Sequence, residues 1–262
     1  MTFDALHFEI KDGVACITFN QPDRGNPFDC KLGEELCELA SECREDGTIR
    51  AVLFSARGKH FSVGGDLKAL ASSRKNLDRF INTATVTVHT AIARFARLDA
   101  PVVVAVNGMA CGAAVAFSAA ADFVLASSEA KFYAAFTGLG LACDSGSSYF
   151  LPRRVGTRRA AEFLLLNQSW SADEAAQYGL INRVVAPDTL GETAWQLAQR
   201  LAAGPTRSFG EIKNLLLSSW EQPLEAQLEL EARAISRSAR TNDAWAGIQA
   251  VTAKQKPVFS GT

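Results

Sequence analysis

Apolar positions along the chain switch repeatedly between the two-residue period of a strand and the longer period of a helix. Phe8-Glu9-Ile10 alternates, Asp12-Gly13 is a turn pair, and residues 14–19 are rich in strand formers, which together predict an opening hairpin. Over 28–44, Leu32, Leu36, Leu39, Ala40 and Cys43 share one helical face. A short apolar strand is expected at 51–54 and a helix start at 66–70. A longer helix over 77–98 carries Leu77, Ile81, Ala84, Val88, Ile92 and Phe95 along one side. Next come a strand at 102–106, an alanine-rich helix at 113–121 and a strand at 123–126. The pattern then predicts a short helix near 145–151, helices at 158–166 and 172–178, and a strand at 181–185.

Strands separated by helical segments imply crossover connections and an α/β fold, although the spacing is irregular and no constant-period repeat is visible. After Pro187 the chain is dominated by helix formers, over 190–201, 208–217 and 224–239. Leu224, Leu228, Ala232, Ile235 and Ala239 make an apolar stripe on the last of these. That stripe either folds back on its own core or meets another subunit; the sequence leaves both open. The expected division is a core over 1–199 and a helical region over 200–262.

Composition narrows the class. With 262 residues, 48% of them hydrophobic, the chain can bury a large core. Residues 102–121 carry no charge and are long enough to span a bilayer, but Asn107-Gly108 interrupts them. They read as strand, turn and buried helix, with no membrane partner. Asp4, His7 and Glu9 near the start break the basic-then-apolar pattern of a signal peptide. A net charge of −1 without a basic stripe argues against nucleic acid. Six cysteines without a C-x-x-C pair and three unclustered histidines predict no metal site. They fit reduced thiols in a cytoplasmic protein.

Two glycine-rich corners lie where a strand passes into a helix: Phe61-Ser62-Val63-Gly64-Gly65-Asp66-Leu67 and Asn107-Gly108-Met109-Ala110-Cys111-Gly112-Ala113-Ala114. Free amides at such a helix start hold an anion or a developing oxyanion, while Gly-Gly-Asp is equally the composition of a capped turn. Neither corner matches a nucleotide-binding fingerprint. Together with 59–67, residues 101–108 and Cys111-Gly112-Ala113 resemble the two oxyanion-hole segments of the crotonase (enoyl-CoA hydratase/isomerase) family. The likeness runs from the 23–26 turn to the 254–261 segment. It implies a crotonase spiral of ββα turns with a helical C-terminal region, acting on an acyl-CoA thioester with no separate cofactor. By position, the Gly65 and Ala113 amides would polarise the thioester oxygen, with Ala113 replacing the more usual glycine. Losing one such donor typically costs on the order of 10²–10³ in rate.

The resemblance also says where acid–base chemistry should lie. The two glutamates of the family's hydratases fall on Ala116 and Phe136, neither of which moves a proton. Asp144, eight residues beyond Phe136, matches an aspartate found in two branches of the family. One comprises the isomerases of phenylacetate breakdown, the other the 4-chlorobenzoyl-CoA dehalogenases, in which the aspartate attacks an aromatic ring. A helix N-cap before Ser145-Gly146-Ser147 is the plain alternative for Asp144. His89 matches the dehalogenase histidine that activates water, and is otherwise a histidine at the edge of a helix face. That branch uses tryptophan where this chain has Phe136, which lacks an indole N–H. Arg24, Lys68, Lys256 and Phe259 match family positions at or near coenzyme A, Lys256 and Phe259 sometimes reaching it from a neighbouring subunit; solvated surface charge is the alternative for the cations. Expected, then, is an enoyl-CoA isomerase using Asp144, assembled as a homotrimer or a dimer of trimers. A dehalogenase-like hydrolase and a non-catalytic acyl-CoA- or RNA-binding relative are the alternatives.

Overall fold

The computed structural model describes residues 3–262. The predicted hairpin is β1 (Leu6–Lys11) and β2 (Val14–Phe19), paired antiparallel with Leu6 opposite Phe19. From β2 the sheet grows by parallel pairing through β3 (Ala51–Ala56), β5 (Val102–Val106) and β7 (Phe123–Ser127) to β10 (Arg183–Val185). A second sheet consists of four three-residue strands: β4 (His60–Ser62), β6 (Met109–Cys111), β8 (Lys131–Tyr133) and β9 (Ser169–Ser171). Three turns of the spiral place a long strand (β3, β5 or β7) in the first sheet and, after a tight bend, a short one (β4, β6 or β8) in the second. A helix then leads to the next turn. This is the crotonase-type α/β architecture that the resemblance implied. The repeat is topological, and the helices between turns differ in length, which is why no sequence period betrays it.

The central strands are buried on both faces, so they read as continuous apolar runs. Val14, Ala51, Leu53, Val103 and Ala105 face α8 (Leu190–Ala202), which presents Leu190, Ala194, Ala198 and Ala202. The opposite face meets α1 (Cys30–Glu45), α3 (Leu77–Ala96) and α4 (Ala113–Ala120) through Phe19, Phe54, Phe95 and Phe117. Phe54 and Phe117 pack edge to face, with centroids 4.8 Å apart, the geometry that ring quadrupoles favour. Helix α4 lies in this core, and no helix among the described residues is long and apolar enough to cross a membrane.

The remaining helices are α2 (Leu67–Ser72), α5 (Ser147–Val155), α6 (Thr157–Leu165) and α7 (Ala172–Tyr178). The C-terminal group is α9 (Thr206–Ser218), α10 (Leu224–Ser238) and α11 (Asn242–Thr252). The expected division at 199/200 falls inside α8, which belongs to the sheet; the chain leaves the core at Gly204-Pro205. On α10, Leu224, Leu228 and Ile235 are each more than half exposed, so the apolar stripe points away from its own protomer. Lys213 anchors α9 by an ion pair to Asp122, 2.7 Å away, and by donating to the Ala100 carbonyl.

The bend between the sheets admits no side chain at Gly108, where a Cβ would lie 2.1 Å from the Lys59 carbonyl oxygen. That neighbour is backbone and cannot swing aside. Gly108→Ala should therefore destabilise the protein by about 1–3 kcal/mol, checked by urea unfolding of the two proteins under the same conditions.

Candidate active site

Strands β4 and β6 run parallel, with His60 beside Met109 and Ser62 beside Ala110. The register shifts by one residue between these two pairs. The two corners approach closely: a Cβ on Gly64 would lie 2.9 Å from the Cys111 carbonyl oxygen, and its φ of +82° suits only glycine. The corners that carry the sequence-predicted Gly65 and Ala113 are thus neighbours through Gly64 and Cys111.

Local hydrogen bonding then decides which backbone groups stay free. A trans peptide plane points its C=O and its N–H in opposite directions. Val63 N–H donates to the Gly25 carbonyl, and Gly64 N–H to Ser62 Oγ. The Gly64 carbonyl accepts from Phe28 N–H at 2.7 Å. With that carbonyl held, the Gly65 N–H of the same peptide points the other way, and it has no partner among the described residues. At the second corner, the Gly112 carbonyl accepts from Val115 and Ala116 inside the first turn of α4. The Ala113 N–H is consequently left facing outward, also without a partner among the described residues. Two free amides from adjoining strand ends form a donor pair suited to an oxyanion.

Arg24, expected near coenzyme A, makes bonds within the protein. Its guanidinium reaches Asp29 at 2.9 Å and Asp66 at 2.7 Å, and Asp66 caps α2 by accepting from the amides of Lys68 and Ala69. Arg24 thereby braces the residue next to Gly65, while its side chain remains 47% exposed. The Lys68 side chain is exposed at the start of α2.

On the far side of the Ala113 corner lies Phe136, whose Cζ would be 3.6 Å from a Cβ on Gly112. Ala116 is fully buried in α4. Asp144 does not cap a helix. α5 begins at Ser147 with Gly146 at its cap position and no side-chain cap bond, so the N-cap alternative fails. Instead Asp144 opens a tight turn closed by Ser147 N–H donating to its carbonyl at 2.8 Å, with Ser145 at φ +54° and Gly146 at φ +85°. Two left-handed residues in succession define this mirror-image turn.

His89, on α3, lies beside that turn. Its Nε2 is 3.8 Å from Asp144 Oδ2 and accepts the Ser145 backbone N–H at 3.0 Å. An amide can only donate, so Nε2 carries a lone pair and the neutral ring holds its proton on Nδ1. Burial pushes the Asp144 carboxyl above the ordinary aspartate range. Ser145 is buried, and its Oγ makes no hydrogen bond. An aspartate raised in this way is suited to accept and return a proton.

Lys256 and Phe259 do not join the site of their own chain. They border a cavity of about 640 Å³ with Asp12, Gly13 and Arg50, where Arg50 Nη1 donates to the Phe259 carbonyl. Gly13 and Arg50 precede β2 and β3, whereas Gly65 and Ala113 follow the other ends of the strands. The six residues of β3 alone set the two regions apart by about 20 Å.

Several supporting residues escaped the sequence reading. Asn26, 3% exposed, donates to the Arg57 and His60 carbonyls and accepts from Gln21 N–H, which clips the bend leading to β4. Phe28 acts through its amide and leaves no side-chain signal. Ser145-Gly146 is a turn dipeptide and was the one visible clue to the Asp144 turn.

The family model described as Enoyl-CoA hydratase/isomerase matches residues 9–262. The chain is 36% identical to the 1,2-epoxyphenylacetyl-CoA isomerase of Escherichia coli strain K12, across 100% of this chain and 99% of that one. It is 32% identical to 4-chlorobenzoyl coenzyme A dehalogenase-2 of an Arthrobacter species, across 89% of this chain and 85% of that one. Against the crystal structure of an enoyl-CoA hydratase/isomerase from Cupriavidus metallidurans CH34, the TM-score is 0.91 at 31% identity, covering 98% and 96% of the two chains. The protein belongs to the enoyl-CoA hydratase/isomerase, or crotonase, family of acyl-CoA enzymes.

The Asp144 environment has a stability consequence with a definite sign. A carboxyl whose folded pKa exceeds its unfolded value favours the folded state while protonated, and that contribution is lost as pH rises through the folded pKa. Asparagine mimics the protonated form. Asp144→Asn should therefore melt higher than the parent at neutral pH, and the gap should close below about pH 4, measured as Tm across a pH series.

Proposed function

We propose that the protein is an enoyl-CoA isomerase in which Asp144 shuttles one proton while the Gly65 and Ala113 amides hold the thioester oxygen. The carboxylate of Asp144 takes a proton from C2 of a 3-enoyl thioester. The C–H electron pair moves into the conjugated system, and negative charge settles on the thioester oxygen between the two amides. The same carboxyl then returns its proton to C4, leaving a 2-enoyl thioester and a regenerated carboxylate. Atoms balance without water, metal or redox partner, and coenzyme A enters as part of the substrate.

The observation that carries this proposal is the pairing of one raised-pKa carboxylate with a histidine whose Nε2 lone pair is already occupied by the Ser145 amide. Hydration in this family uses a second carboxylate, and Ala116 and Phe136 stand at those positions. Dehalogenase-like hydrolysis would make Asp144 the nucleophile and would need His89 to deprotonate water. The short His89–Asp144 separation is compatible with that chemistry, but the Ser145 amide holds the lone pair it would use.

Incubating the protein with 3-enoyl-, 2-enoyl- and 4-halobenzoyl-CoA esters separates the possibilities. Double-bond migration without added water is the expected result, and halide release from the aryl ester would overturn it. Asp144→Asn should lower isomerase kcat by about 10³-fold or more, with ester affinity within a few-fold. Full activity in that variant would return Asp144 to a purely structural role.

The exposed faces support a reading of the quaternary state. Leu216 on α9, Leu228 and Ile235 on α10, and Trp245 and Ile248 on α11 are all more than half exposed, beyond what scattered surface residues explain. We propose a homotrimer or a dimer of trimers built on these helices. In that assembly Lys256 and Phe259, held away from their own site, approach coenzyme A in a neighbour, and Arg24 and Lys68 serve it from within. The six cysteines, all free thiols, fit a cytoplasmic enzyme. Light scattering at micromolar concentration should report three or six protomers; a monomer would refute the assembly.

A further inference from the structure

We propose that His89 is a positioning residue that aims the Asp144 carboxylate by accepting the Ser145 backbone N–H, and that it takes no proton during turnover. This inference rests on Asp144 being the proton-shuttling group. Asp144 and Ser145 share one peptide plane, and both of its polar groups are engaged. The carbonyl end, on Asp144, accepts from Ser147 N–H at 2.8 Å, while the amide end, on Ser145, donates to His89 Nε2 at 3.0 Å. Pinning a plane at both ends sets the torsion on the carboxyl side of Asp144 and hence the direction of its side chain.

The turn needs this support. Ser145 sits at φ +54°, a left-handed conformation that is strained in a non-glycine residue unless its surroundings enforce it. Its side chain contributes nothing, because Ser145 Oγ is buried without a hydrogen bond. The His89 bond spans 56 residues of chain and joins the Asp144 turn to α3. Since α3 packs along α1 and against the central sheet, the turn is referenced to the rigid core.

The ring's geometry suits an acceptor and not a base. With Nε2 engaged, only Nδ1 remains, and in the neutral ring it already carries the proton. The 3.8 Å separation from Asp144 Oδ2 exceeds a hydrogen bond, so the neutral histidine leaves the carboxylate free for substrate.

Two variants and one spectrum test this. Glutamine can place its side-chain oxygen where Nε2 stands and still accept the amide; leucine cannot. With a 3-enoyl-CoA ester, His89→Leu should lose about 10²-fold in kcat with KM within a few-fold, and His89→Gln should recover most of the loss. Equal losses in both variants, or no loss in His89→Leu, would overturn the proposal while leaving Asp144 as the shuttle. An aryl-enzyme ester trapped on Asp144 in His89→Gln, seen as a mass increase with a 4-halobenzoyl-CoA, would overturn both. Nitrogen-15 NMR of the unmodified protein at neutral pH should show the Nδ1–H tautomer at His89. A protonated Nε2 would refute the assignment irrespective of how the variants fold.

Discussion

The site depends on two peptide planes whose carbonyls are spent inside the protein. At Gly64–Gly65 the carbonyl is held by Phe28 N–H, and at Gly112–Ala113 it closes the first turn of α4. Because C=O and N–H of a trans peptide oppose one another, tying down each oxygen exposes each amide. The two amides are thus aimed by bonds made on the opposite side of each plane, and as the proposed donors they would need no reorganisation when charge develops in front of them. Everything nearby serves this alignment. Ser62 Oγ takes the Gly64 amide, Asn26 clips the preceding bend, and Arg24 with Asp66 secures the helix that follows Gly65.

The spiral explains why the two planes meet. Three turns send a second, three-residue strand into the small sheet, and there β4 and β6 pair in parallel, with a shift of register between His60 and Ser62. An error of one residue in either bend would separate the amides. Gly64 and Gly108 guard against it, because both allow backbone from adjacent turns to approach closer than a Cβ would permit. Packing reinforces the register: Phe19, Phe28, Phe61 and Phe117 interlock behind the site, with Phe19–Phe61 centroids 5.1 Å apart.

Much of this was legible in the sequence, for identifiable reasons. Long elements announce themselves by period: the 14–19 strand, the 77–96 helix and the 172–178 helix all lie where apolar spacing placed them. Resemblance supplied what periodicity could not, the common purpose of the two glycine corners and the interest of Asp144. Three-residue strands are too short to show a period, so the second sheet was invisible. α11 was missed as well. It buries little besides Asp243, whose carboxylate binds the Ser260 and Gly261 amides, so its pattern is of capping and not of core. Asp144 looked like a helix cap because Asp before Ser-Gly-Ser is a common cap composition. What displaced it was a turn with a left-handed Ser145, held by the bond from its amide to His89. The homes of Lys256 and Phe259 were equally hidden, since position along the chain says nothing of which end of a sheet a tail returns to.

The Asp144 turn shows the usual exchange between function and stability in local terms. It combines a carboxylate raised by burial, a strained non-glycine residue and a buried hydroxyl without a partner within two successive residues. Each feature works against folding. The chain leaves α5 uncapped by any side chain and assigns the histidine's only lone pair to a backbone amide. A free lone pair beside Asp144 would be able to deprotonate a water molecule and invite hydrolysis of the thioester. In the proposed isomerisation the proton must return to carbon, and the bond proposed to position the carboxylate also occupies the nearest lone pair able to activate water.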